Sequence, residues 1–501
     1  MTGMRGRLTK GAGWVILSRA LVNLISLLST FILARILTPD DFGLVALATT
    51  LLMIINALTD LSLANALIQH DDPTEDHFHT AWTLNLARSA LIGGLVAVAA
   101  WPLAYVYDDP RLQGITLVLA LSVFLTGFTN PKMTVFLRDL LFAQDFMLNV
   151  SQKIIGFAVS VAIALIYQSY WALVLGTVAS QLTMIVVSYM LIPYRPYFRI
   201  TYYRELFSFS LWLTFGQILN TINWRLDYFL IGGVAGRTAL GYYSVGDNLA
   251  GIPTREASEP VTKVLFSGLS LIKNDPERMQ AAYTAAQALL TSVVLPVGFG
   301  FALCAKSVVL LAMGAKWLPI VPVIQGLAAI LALQTLGKLV QPLAMAKGVP
   351  DLLFRRDLLS FFIRIPLVVA GLLLGGLHGV IIARMATGLI AIGFNLHLVR
   401  KLIGVGVKRQ IFQNGRALLS IAVMVAGVFP LQAATEHLGT GSLMLLLQLA
   451  IIMSAGASLY ICSHLLLWLA AGRPQGPETT ILHTLSSAIQ SLRARRGESA
   501  A

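Results

Sequence analysis

Apolar residues run through the chain in long stretches, each about as long as a bilayer crossing, and polar residues return at short intervals between them. With roughly 20 apolar residues taken as one span, the pattern predicts helices near 12–34, 42–66, 81–106, 113–136, 147–168, 170–192, 206–232, 239–268, 280–304, 318–344, 353–375, 377–399, 414–433 and 441–470. The expected fold is all-α and integral to a membrane, with about fourteen transmembrane helices.

The pattern also repeats. Trp14 to Gly43 aligns with Trp212 to Gly241 without a gap, at an offset of about 198 residues, so that Leu21 falls on Leu219, Phe31 on Phe229 and Gly43 on Gly241. Repeats of this kind are the layout of transporters whose two halves rock about a site at their interface. The expected boundaries are an N-terminal lobe at 1–192, a cytoplasmic linker at 193–205, a C-terminal lobe at 206–400, helices 13 and 14 within 401–470, and a cytoplasmic tail at 471–501.

Composition sharpens this. At 57% hydrophobic and 12% charged residues, the 501-residue chain is too apolar for a soluble enzyme. Its net charge of +13 is topological, because Lys and Arg gather in alternate loops: Arg5, Arg7 and Lys10; Lys132 and Arg138; Arg195, Arg199 and Arg204; Lys273 and Arg278; Arg355 and Arg356; Arg400 to Arg409. The other side keeps Arg35, Arg111, Arg237, Lys306 and Lys316, so the positive-inside rule puts both termini in the cytoplasm. Arg237, in an outside loop, is expected to tolerate alanine. One inside loop, His70 to His79, is discordantly acidic, and its His77 and His79 are expected to be solvated. The charge does not call for nucleic acid; the interleaved aromatics and arginines of Pro193 to Arg204 are expected to anchor the linker at the membrane interface. The first apolar run is too long for a cleaved signal peptide, Cys304 and Cys462 match no metal or redox spacing, and no phosphate loop or nucleophile motif is present, so neither a catalytic residue nor a cofactor is expected. The tail carries a stretch, Ile481 to Leu492, patterned as an amphipathic helix, followed by Arg493, Arg495 and Arg496, which suit anionic headgroups.

Candidate chemistry lies in the polar residues inside spans. Arg19, Asn23, Ser26 and Thr30 share one stripe of the first helix, and their repeat counterparts Gln217, Thr221, Trp224 and Tyr228 keep the stripe but lose the cation. Helix 7 has a second polar face, Asn220, Asn223 and Asp227. Helix 8 carries Asp247, Arg255, Glu256, Glu259 and Lys263, with Gly251, Pro253 and Pro260 expected to break it; Arg255 with Glu259, and Glu259 with Lys263, are spaced to pair along the helix or to act in transport. Single cations recur at Arg88, Lys338, Arg364 and Arg384, facing a cavity or, for the last two, snorkelling to an interface. With Asp60 the main matching acid, the buried inventory has a cationic surplus that suits an anionic cargo. Asp60, Asp227, Asp247, Glu256 and Glu259 are the candidates for ion coupling.

These residues carry a family resemblance. Arg35-Ile36-Leu37-Thr38-Pro39-Asp40-Asp41-Phe42-Gly43-Leu44-Val45-Ala46 and Asp60-Leu61-Ser62-Leu63-Ala64-Asn65 resemble the first two helices of the polysaccharide-type lipid-linked oligosaccharide flippases, in the multidrug/oligosaccharidyl-lipid/polysaccharide exporter superfamily. Gly241-Tyr242-Tyr243-Ser244, Asn274-Asp275-Pro276-Glu277-Arg278 and Lys316-Trp317-Leu318-Pro319 are similar to the colanic acid and teichuronic acid exporter branch. The resemblance implies a bacterial inner-membrane protein of two pseudo-symmetric six-helix lobes plus two extra C-terminal helices, which carries undecaprenyl-diphosphate-linked oligosaccharide repeat units to the periplasmic leaflet, with a polysaccharide polymerase or export machinery as partner. Under it, Arg19, Asn23, Arg88, Asn220, Asn223, Arg255, Lys263, Lys338, Arg364 and Arg384 are cavity candidates for cargo. Two alternatives stand beside it: a cation-coupled multidrug and toxin extruder of the same superfamily, which calls for buried carboxylates, and a membrane polymerase or ligase, which calls for a large reactive outside loop.

Overall fold

The computed structural model describes residues 2–58, 67, 73–138, 141–202, 211–437, 439, 441–479 and 486, and leaves undescribed the side chains of 2–12, 137–138, 211–217, 263, 267 and 436. Asp60, the Lys263 and Gln217 side chains and, apart from Ser486, the Ile481 to Leu492 stretch lie outside the described residues. Among the described residues the regular structure is helical throughout. Thirteen main helices are α1 (Thr2–Ile36), α2 (Pro39–Leu58), α3 (Glu75–Val106), α4 (Arg111–Thr126), α5 (Phe142–Tyr167), α6 (Trp171–Leu191), α7 (Leu211–Val234), α8 (Gly236–Leu271), α9 (Pro276–Ala312), α10 (Val321–Leu333), α11 (Pro350–Ile403), α12 (Gly415–Glu436) and α13 (Ser442–Ala470).

Ten helical segments among the described residues are long and apolar enough to cross a membrane, by length and composition. The protein is therefore a multi-pass membrane protein with fewer spans on that criterion than the fourteen expected. The shorter α4 and the polar α7 and α8 fall outside the ten, and α11 counts once although it bends at Gly375 and Gly376, whose φ angles are −140° and +55°. That bend falls where the sequence pattern separates 353–375 from 377–399.

Two expectations about helix continuity change. α8 runs unbroken through Pro253 and Pro260. Pro253 and Pro260 deprive the Leu249 and Glu256 carbonyls of their helical N–H donors, and the nearby hydroxyls bond other carbonyls, Ser258 Oγ that of Thr254 and Thr262 Oγ1 that of Ser258 at 2.9 Å. Proline is tolerated in a spanning helix of a multi-helix bundle. The predicted helix 318–344, by contrast, breaks into the 3₁₀ turn Ala315–Ile320, α10, and the short pieces Thr335–Lys338 and Val340–Ala346. Gln287 of α9 donates its Nε2–H to the Leu336 carbonyl at 2.5 Å, supplying from a neighbouring helix a bond near the break.

The chain forms two compact units, residues 1–244 and 245–501, dividing within α8. In the first, α5 packs on α6 and α1, α3 on α4, and α7 on α2, with Leu44, Leu47, Ile92, Val96 and Ile115 buried. In the second, α9 is central, packing on α10, α12 and α13, and α10 packs on α11. Within the first unit, ion pairs sort the loops into two ends. Lys132 bonds Glu75 at 2.5 Å and Arg199 bonds Asp76, which neutralises half of the acidic loop that looked discordant. His77 is buried and stacks on Tyr202, and His79 Nδ1 lies 2.8 Å from the Tyr194 hydroxyl, so neither is solvated. Burial pushes the Tyr194 hydroxyl pKa well up. The linker is thus clasped to the loop 73–79 by Tyr194 and Tyr202, while Tyr197 and Phe198 remain exposed for the interface.

Candidate functional site

The repeat meets itself in the first unit. A side chain on Gly43 would strike the carbonyl of Arg237, and one on Gly241 would strike the carbonyl of Pro39. In the repeat alignment Gly43 corresponds to Gly241 and Pro39 to Arg237, so the contact is reciprocal, like with like. Only glycine lets the two helix starts approach this closely. Four charges surround the crossing. Arg237 pairs with Asp40 at 3.3 Å and with Asp109, and Arg111 pairs with Asp40 at 3.2 Å and Asp109 at 2.9 Å. The Asp109 side chain is only 4% exposed. Tyr107 hydrogen-bonds the Phe229 carbonyl beside it at 3.0 Å, and burial pushes its hydroxyl pKa up to about 12. Arg237, expected to be neutral to substitution, is a member of this network. Asp40 and Asp109 carried no signal beyond their turn-forming neighbours.

The polar stripe of α1 contracts. Ser26 Oγ donates to the Val22 carbonyl and Thr30 Oγ1 to the Ser26 carbonyl, at 2.7 and 2.9 Å, which leaves the half-buried Arg19 and Asn23 as its outward-reaching members. Arg88 of α3 reaches Asn56 of α2. On α7, Asn220 is exposed, Asn223 is buried, and Asp227 is fully buried and accepts a hydrogen bond from Tyr243 at 3.1 Å. Arg225 turns away over the Tyr228 ring at 5.2 Å.

The second unit gathers charges from three elements. Lys338, at the broken end of helix 10, donates to Ser258 of α8, and the charges of Glu259 and Arg255 act on it. Arg255 pairs with its neighbour Glu256 at 3.7 Å, and the Lys263 end of the expected i,i+4 ladder lies outside the described side chains. Arg384 of α11 faces Asp247 of α8 at 3.7 Å. Arg364 and Arg384 are each 5% exposed, so neither snorkels. Arg356, counted in the sequence only as a topological charge, bonds Asn395 at 3.1 Å, and Asn395 lies against Gly337 in the turn that holds Lys338. No spacing rule links residues so far apart in sequence. Among the described residues no three metal-ligating side chains gather.

A repeated helical membrane fold with charges turned inward defines the class: a multi-helix membrane transporter. The family model described as polysaccharide biosynthesis protein matches residues 32–322, more than half of the chain, and the chain belongs to that family. It is 24% identical over 385 residues to the lipopolysaccharide biosynthesis protein WzxC of Escherichia coli (strain K12), covering 75% of this chain and 77% of that one. It is 23% identical over 481 residues to the teichuronic acid biosynthesis protein TuaB of Bacillus subtilis (strain 168), covering 92% and 96%. Among solved structures it shares the fold of the lipid II flippase MurJ in an inward closed conformation, with a TM-score of 0.72 at 13% identity, over 93% of this chain and 100% of that chain.

Proposed function

We propose that the protein is a transporter, not an enzyme, that flips undecaprenyl-diphosphate-linked oligosaccharide repeat units across the bacterial inner membrane for surface polysaccharide synthesis. The observation that carries this reading is the full-length likeness to a solved lipid flippase in a chain of the polysaccharide biosynthesis family. Both termini are cytoplasmic, and lobes at 1–192 and 206–400 rock about a central cavity in alternating access. The diphosphate is gripped by the cations, Arg19 and Lys338 first, with Arg88, Arg255, Arg364 and Arg384 and the amides Asn23, Asn220 and Asn223 completing the cavity; a polyanion entering a low-dielectric space needs such donors. Asp227 and Asp247 head the acids that couple the cycle to an ion, with Asp60, Glu256 and Glu259 behind them. A polysaccharide polymerase takes up the product at the outer leaflet.

Deletion of the gene tests the reading. Lipid-linked repeat units are expected to accumulate on the cytoplasmic leaflet and the surface polysaccharide to disappear, with resistance to cationic drugs unchanged. Persistent polysaccharide with loss of drug resistance would overturn it in favour of an extruder.

A further inference from the structure

The C-terminal segment returns to the membrane ends of α12 and α13 and inserts a carboxylate between them. Gly472 and Arg473 adopt left-handed φ angles of +81° and +55°, reversing the chain after α13. Trp468 Nε1–H then holds the Pro474 carbonyl at 3.0 Å, and the Thr479 hydroxyl closes a turn on Gly476. Pro477 and Glu478 are buried. Glu478 Oε1 lies 3.1 Å from Arg416 Nη1 of α12 and 3.0 Å from His464 Nε2 of α13. Gly476 is pressed so close that a side chain there would touch both Glu478 and Arg416, at 2.8 and 3.0 Å.

The seat fits Glu478 on one side only. Among the described residues both partners reach Oε1, and Oε2 receives no hydrogen bond although Glu478 is only 5% exposed. Arg416 and His464 thus converge on one oxygen of a planar group held by a backbone tether. A tetrahedral phosphate offers oxygens in several directions and meets a guanidinium fork and an imidazole N–H together. The seat is also at the right depth. Arg416 is the second residue of one spanning helix and His464 lies two turns from the end of the next, so it sits where lipid headgroups concentrate phosphate. With its side chain 21% exposed, Arg416 leaves a route of approach. The other groups facing the seat, Ser420 and Tyr460, are neutral.

We propose that Arg416 and His464 form a seat for the phosphate of a lipid headgroup, and that Glu478, carried on the strap Gly472 to Thr479, fills it as an internal stand-in that such a phosphate displaces. The strap then leaves α12 and α13. This does not depend on what the transporter carries.

The test is native mass spectrometry on the full-length protein in maltoside detergent. Glu478→Gln, nearly isosteric, is expected to raise phosphatidic acid binding about tenfold, equivalent to about 1.4 kcal/mol. Adding Arg416→Gln and His464→Gln is expected to return binding to the wild-type level. A second measurement leaves the seat intact: spin labels at Gln475→Cys and Leu419→Cys, with Cys304 and Cys462 replaced by serine, should move apart when phosphatidic acid is added. Release by phosphatidic acid but not by inorganic phosphate assigns a bilayer lipid, and preferential release by a polyprenyl diphosphate assigns the cargo lipid; both uphold the seat. Release by inorganic phosphate alone, no gain in folded Glu478→Gln, or a gain that survives in the triple variant overturns it.

Discussion

Arg237 shows what a single residue's neighbours add to its place in the sequence. Its position after a helix end marks only an outside charge, yet it shares Asp40 and Asp109 with Arg111. Removing Asp109 leaves two guanidinium groups to share Asp40 alone. Asp109→Ala is therefore expected to cost about 3 kcal/mol, the low end for breaking a buried pair because both arginines are partly exposed, and Arg237→Ala about 1 kcal/mol; thermal melting in detergent measures both. Lys338 is the opposite case. A lysine in mid-span is legible as functional because lipid penalises it, whereas Ser258, its partner from another helix, is not. Arg19→Ala and Lys338→Ala are expected to insert normally but lower polysaccharide export at least tenfold, since a charge-assisted hydrogen bond contributes about 1.5–3 kcal/mol. Arg19→Lys should retain part of the activity, keeping charge without the planar fork. The suitable neutral control is Arg278→Ala, at an exposed loop pair with Asp275.

At the scale of elements, hydrophobic patterning located the helices well and their interruptions poorly. The Gly375–Gly376 bend was legible because glycine, apolar run and length agree. The unbroken α8 was not, because proline in a spanning helix is tolerated according to its surroundings, which sequence does not place. The break after α10 was signalled only by Gly337 and Pro342, which the apolar run around them masks, and Gln287 supports it from another helix. The Gly43–Gly241 crossing yields a sharper expectation. Gly43→Ala and Gly241→Ala each drive a methyl into the opposite carbonyl and should destabilise equally, by about 1–3 kcal/mol. The double variant should cost much less than the sum, because the first methyl already separates the helices and the second enters space thus opened; denaturation of all four proteins measures the coupling.

For the whole molecule, class, helical fold and family resemblance were all legible, because a bilayer imposes length, apolarity and charge asymmetry directly on sequence. The compact units at 1–244 and 245–501 were not, because helix packing decides which side of a boundary α7 joins. Loops assigned to one side do bond one another: Glu75 and Asp76 with Lys132 and Arg199 at one end, Asp40 and Asp109 with Arg111 and Arg237 at the other. Reporter fusions are expected to place the segments Arg195 to Arg204 and Arg400 to Arg409 in the cytoplasm and Lys306 to Lys316 in the periplasm. A periplasmic signal from the Arg400 fusion would reverse the orientation.

The reciprocal glycine contact has the form of an isologous dimer interface, in which each partner offers the same patch to the other. Two identical half-length chains meeting this way would have to carry one residue at the position of Pro39 and Arg237. Joined in one polypeptide, the copies are free to differ: one keeps a proline that starts its helix, and the other places there a cation that neutralises Asp40 and Asp109 across the joint. What one polypeptide holds here, and two identical chains could not, is a symmetric backbone contact clothed in asymmetric charge.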